Sequence, residues 1–101
     1  MRTYTVVLSP DHEQGGYSVS VPALPGAVSD GRTRDEALSN IKESMEGWLG
    51  VAIESGWDAQ PETLELILAA IAFTSSWRQE EGWPLLVETA QVCVDVPVPA
   101  R

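Results

Sequence analysis

One histidine, one cysteine and one glycine pair are the residues of this chain that could anchor chemistry, and the surroundings of each argue against it. General-base catalysis or metal binding needs a histidine with a nucleophile or further ligands in reach. His12 instead lies in Asp11-His12-Glu13-Gln14-Gly15-Gly16, a run of turn residues with no cysteine or second histidine nearby, and reads as an exposed turn residue. Gly15-Gly16 lacks the helix start and lysine that make a phosphate loop. Cys93 sits in the valine-rich run 92–96 and reads as a packing residue rather than a reactive thiol; alone, it cannot form an internal disulfide. Tyr17, Trp48 and Phe73 lack the neighbouring cations of a base-stacking platform and read as core packing. No catalytic residue, metal site or cofactor is expected.

Charge narrows the partners. Fifteen acidic residues against six basic ones give a formal net charge of −9. Such a surface repels phosphate backbones and attracts a basic protein. The cations Arg2, Arg32, Arg34, Lys42, Arg78 and Arg101 are scattered rather than gathered into a patch. The longest apolar run, Leu66 to Phe73, is far shorter than the ~20 residues of a membrane helix, and no secretory h-region follows Met1. The expectation is a soluble, cytoplasmic protein of one domain, residues 1–101, able to bury a single core without disulfides.

The elements that position these residues follow from periodicity. Tyr4, Val6 and Leu8 alternate with Thr3, Thr5 and Val7, which predicts a strand over 3–9 that Pro10 stops. Tyr17, Val19 and Val21 predict a second strand, paired antiparallel with the first. Pro22, Pro25 and Gly26 force a turn before a short third strand near 27–30. Thr33 and Glu36 form a capping box, and Ala37, Leu38, Ile41, Met45, Trp48, Leu49, Ala52 and Ile53 recur at helical spacing, giving a helix at about 34–55 closed by Gly56.

Pro61 suits the first turn of a second helix and Glu62 its positive end. Leu64 to Phe73 is apolar almost all round, and Thr74-Ser75-Ser76 should end it. Gly82-Trp83-Pro84 turns the chain, and Gln91 to Val96 alternates as a last strand that joins the sheet. The fold class is therefore α+β: a three-stranded antiparallel meander, a long helix packed on it, and a late fourth strand, in the order β-β-β-α-(α)-β.

Residues 3 to 56 resemble the HicB-like antitoxins. In that family Gly-Tyr opens a strand that runs into Pro-x-Leu-Pro-Gly, and Gly-x-Thr-x-x-Glu-Ala heads a helix. Here the same pieces read Gly16-Tyr17, Pro22-Ala23-Leu24-Pro25-Gly26 and Gly31-Arg32-Thr33-Arg34-Asp35-Glu36-Ala37. The resemblance implies a noncatalytic domain that covers the active surface of a small basic RNA-cleaving toxin of the HicA type. Tyr17, Pro22, Leu24, Pro25, Gly26 and Asp30 are the expected partner-binding residues. It also implies a valine-rich closing strand and assembly as a homodimer or homotetramer.

The chain departs from the family in two ways. No C-terminal DNA-binding module is visible after Val96, so no direct DNA binding is expected. Residues 57–88 hold an atypical apolar helical insertion in place of a short polar link. Leu66, Ile67, Ala70, Ile71, Phe73 and Trp77 are its expected oligomer interface, the alternative being that the segment folds over the open sheet face and completes a monomeric core. An orphan scaffold that has lost toxin binding is the second functional reading. A metal-dependent nuclease is the third, because the family's domain is likened to RNase H. That chemistry needs carboxylates converging on one face of the sheet. Asp30, Glu43, Glu46 and Asp95 are scattered, and the first strand carries no acid.

Overall fold

The structure is a computed structural model that describes residues 2–57 and 61–95. β1 (Arg2–Pro10), β2 (Tyr17–Ser20) and β3 (Val28–Gly31) form the meander, and β4 (Glu88–Val94) returns beside β1, so the antiparallel sheet runs β3-β2-β1-β4. Pairing runs from Pro10↔Tyr17 to Val7↔Ser20 on one side of β1, and from Leu8↔Glu88 to Arg2↔Val94 on the other. Strand alternation sends Tyr4, Val6, Leu8, Val19, Val92 and Val94 to one face. There they form the core with Ala37, Ile41, Met45 and Leu49 of α1 (Arg34–Glu54).

Both helices are bounded by the same devices. Thr33 Oγ1 accepts from the Glu36 amide at 3.1 Å to start α1, and Thr63 Oγ1 accepts from the Leu66 amide at 3.2 Å to start α2 (Leu64–Glu80). Each ends on a glycine of positive φ followed by tryptophan. Gly56 (φ +75°) lets the Trp57 amide reach the Ala52 carbonyl at 2.7 Å, and Gly82 (φ +73°) lets the Trp83 amide reach the Arg78 carbonyl at 2.8 Å.

Two family-motif glycines are explained by close approach. A Cβ on Gly31 would stand 2.3 Å from the Ala37 amide nitrogen, where β3 passes beneath the start of α1. One on Gly16 (φ +79°) would stand 2.5 Å from the Gly31 carbonyl oxygen. These positions hold glycine because backbone meets backbone there.

α2 lies across the opposite face of the sheet. Thr5, Val7 and Ser9 are the buried β1 residues of that face, and Thr74 lies beside Val7 and Ser9. The stripe turned inward steps through Ile67, Ile71, Thr74 and Arg78 at helical spacing, and only Arg78 is fully buried. Ser18, Ser20, Val28 and Asp30 occupy the rest of that face, because they pair with one another across β2 and β3 and with Ser9 and Val7 of β1; it is mostly polar, and Val28 is left exposed there.

Several expectations are corrected. Pro61 precedes α2 rather than opening it, because Thr63 takes the cap. Glu62 instead uses its carboxylate on β1, accepting from the Thr5 amide and, at 3.0 Å, from the Thr5 hydroxyl, where β2 has stopped pairing. The helix runs through Thr74-Ser75-Ser76 to Glu80, since the inward stripe continues to Arg78. β4 begins at Glu88 rather than Gln91, because Leu8 and Val7 of β1 extend far enough to pair with Glu88 and Thr89; its expected end at Val96 lies outside the described residues. Cys93 is exposed, as alternation with buried Val92 and Val94 requires, and its Sγ stands 3.1 Å from Thr3 Oγ1. Among the described residues, no helix is long and apolar enough to cross a membrane.

Candidate partner-binding surface

The proline-glycine corner is two consecutive turns. The Leu24 amide donates to the Val21 carbonyl at 3.1 Å, with Pro22 at the second position. The Ala27 amide donates to the Leu24 carbonyl at 2.9 Å, with Pro25 second and Gly26 third at φ +92°. That is the residue pattern of a type II turn. The Val21 amide closes the loop onto the Ala27 carbonyl at 3.1 Å, and Trp48 of α1 donates from its indole Nε1 to the Pro25 carbonyl at 2.9 Å. The corner is thus fixed to α1 by a side chain of the helix.

The six expected partner-binding residues do not converge. Leu24 is 0% exposed and belongs to the core, so it drops out as a contact residue. Pro22 is half-buried, while Pro25 and Gly26 are exposed beside Trp48. Tyr17 and Asp30 sit at the other end of the β2–β3 hairpin, roughly 13 Å away along a four-residue strand. There they border a polar cavity of about 530 Å³ with Asp11, Gly16, Arg32 and Glu36.

The expected oligomer residues divide as well. Leu66, Ile67, Ala70 and Ile71 are half-buried, whereas Phe73 is 75% exposed and so is not the core residue its type suggested. Trp77 is also exposed, and with Leu64, Leu68, Leu85 and Leu86 it leaves a broad apolar surface on and after α2. Covering the sheet therefore accounts for the inner stripe of α2, while Leu64, Leu68 and Phe73 on its outer side stay exposed among the described residues.

A cluster the sequence did not reveal fastens this region. Arg78 is 1% exposed; its Nε donates to the Pro84 carbonyl at 2.6 Å, one terminal nitrogen donates to the Pro10 carbonyl, and its guanidinium lies 5.4 Å from the centre of the Trp83 ring. Trp83 in turn meets Trp77 edge-on at 4.8 Å and His12 at 5.9 Å. His12 thus has an aromatic neighbour and no catalytic one. No group of three or more His, Cys, Asp or Glu side chains among the described residues could hold a metal ion. What the arrangement offers is binding surface.

Comparison with known proteins gives a consistent result. The family model described as HicB_like antitoxin of bacterial toxin-antitoxin system matches residues 4–79. A UPF0150 protein of Thermoplasma acidophilum is 50% identical over 46 residues, which are 46% of this chain and 65% of that relative's length. The N-terminal domain of the Burkholderia pseudomallei antitoxin HicB superposes with a TM-score of 0.63 at 28% identity, covering 93% of this chain and 99% of that one. A chain of a HicA3 and HicB3 toxin-antitoxin complex has the same fold, with a TM-score of 0.60 at 18% identity, again over 93% and 99%.

Proposed function

Because this chain belongs to the family of HicB-like antitoxins of bacterial toxin–antitoxin systems, we propose that it is a noncatalytic antitoxin domain that neutralises a small basic RNA-cleaving toxin of the HicA type by covering its active surface. The observation that carries the reading is the family match over residues 4–79. A chain of the same fold occurs in a toxin–antitoxin complex. The net charge of −9 favours a basic partner and keeps the domain off phosphate backbones, so it binds no DNA by itself. Its site of action is the cytoplasm. Co-expression with a HicA-type protein of the same genome tests the proposal: cells should grow and the two chains should copurify in fixed ratio. Growth arrest despite a folded, expressed antitoxin would refute it.

Within this reading the 101 residues act as one domain, and the helical segment at about 57–88 supplies the self-association surface. Phe73, Trp77, Leu64 and Leu68 carry the apolar area that α2 leaves uncovered. Closed symmetry, a homodimer or homotetramer, is the simplest way to bury it. Light scattering should return at least twice the chain mass at 100 µM or so, well above the ~1 µM at which an association of about −8 kcal/mol half-forms. Phe73→Glu should return the monomer with unchanged circular dichroism. A monomeric wild type at that concentration contradicts the assignment.

A further inference from the structure

We propose that the groove between the Pro22–Gly26 corner and the C-terminal half of α1 is a receptor for an arginine side chain of the basic partner, an inference that rests on the antitoxin reading above. The groove holds about 330 Å³ and is lined by Gly26 and Ala27 of the corner, Ser44, Gly47, Trp48 and Val51 of α1, and Trp57 just beyond it. Trp57 is 61% exposed, so a large indole face is presented to solvent at its rim. Trp48 is held in place by its bond to the Pro25 carbonyl.

Two features of α1 make sense as parts of a binding site and are unfavourable for the helix alone. Gly47 stands in the helix interior, where glycine weakens the helix relative to alanine, yet a Cβ there would meet nothing within 4 Å. Internal packing does not require that glycine, and its effect is to leave the groove floor open. Glu54 occupies the last turn, which contains no basic residue, and so places negative charge at the negative end of the helix dipole. Exposed Glu54 follows Gly47 by seven residues and Val51 by three, which puts its carboxylate on the same helix stripe, at the end of the groove where Trp57 stands.

An exposed indole close to an exposed carboxylate and a helix C-terminus selects a cation. Arginine fits better than lysine, because its planar guanidinium stacks on an indole while its edge donates two hydrogen bonds to a carboxylate. A second copy of this chain is the poorer occupant of this groove, since it offers the apolar residues of α2 and only scattered cations.

The test is titration calorimetry of the purified chain against a HicA-type protein of its own genome, at 0.15 M salt, with Glu54→Lys, Trp57→Ala and the exposed α2 control Ser76→Ala. Glu54→Lys and Trp57→Ala should each weaken binding about tenfold, as loss of a stacked or paired cation implies. Glu54→Lys should melt no lower than wild type, because lysine complements the helix dipole. Ser76→Ala should bind within about twofold of wild type. Wild-type binding that both groove variants match within about twofold overturns this inference and leaves the antitoxin reading standing. A folded wild type that does not bind at all overturns the antitoxin reading, and the arginine site falls with it.

Discussion

Replacing Gly31 with alanine should destabilise the domain by about 3 kcal/mol, the upper end of what overpacking a rigid site costs. The added methyl would stand 2.3 Å from the Ala37 amide nitrogen and 2.8 Å from its Cα. Both are backbone atoms in the first turn of α1, so no side chain can rotate away. Relief requires lifting the helix start off β3, which also disturbs Ala37, a fully buried member of the core. Urea denaturation reads the change as a lower midpoint at unchanged slope. Gly47→Ala is the internal contrast: it meets no neighbour, and it should gain up to about 1 kcal/mol of helix stability. A loss below about 1 kcal/mol for Gly31→Ala would contradict the packing described here.

Arg78→Ala should cost about 4 kcal/mol, and Arg78→Lys nearly as much. The guanidinium bonds the Pro84 and Pro10 carbonyls from two different nitrogens while stacking near Trp83. Truncation takes the guanidinium from the Pro10 carbonyl, leaves the Pro84 carbonyl with only the Leu86 amide, and opens a void beside Trp83, the lost bonds and the void each worth roughly 1–3 kcal/mol. Lysine keeps the charge but lacks the fork that reaches two carbonyls at once. The loss should appear first at the end of β1 and the turn after α2, as faster amide exchange near Pro84 and in the His12 turn. Rescue of wild-type stability by lysine would show that charge alone, and not the fork, holds this junction.

Much of the architecture was legible because local signals and burial agree. Alternating Tyr4, Val6 and Leu8, the Thr33–Glu36 cap and the Gly56 stop mark elements that stand within a residue or two of their predicted bounds. The second half was less legible, because long-range contacts decide it. Thr74-Ser75-Ser76 has the composition of a helix end, yet α2 continues to place Arg78 against carbonyls contributed by residues 10 and 84. The pairing of Glu62 with Thr5, 57 positions away, leaves no trace in either neighbourhood. One overlooked signal was present: Gly82-Trp83 repeats Gly56-Trp57, and both pairs close a helix in the same way.

The candidate site was less legible than the fold, because the family motifs prove to be largely architectural. Gly16 and Gly31 admit backbone, Leu24 fills the core, and the prolines set two turns. Such residues report on the fold, while the arginine groove proposed above rests on neighbours with no motif, Trp57, Val51 and Glu54 among them.

The central claim, that this domain silences an RNA-cleaving protein by covering it, is tested most directly by RNA degradation in vitro. A HicA-type protein of the same genome is incubated with RNA at micromolar concentration, and the purified chain is added in steps. Cleavage should fall linearly and stop at a fixed molar ratio, with the two proteins eluting as one complex, and the chain alone should leave the RNA intact. Cleavage that persists at a several-fold excess of folded chain, or RNA degraded by the chain itself, would contradict the account.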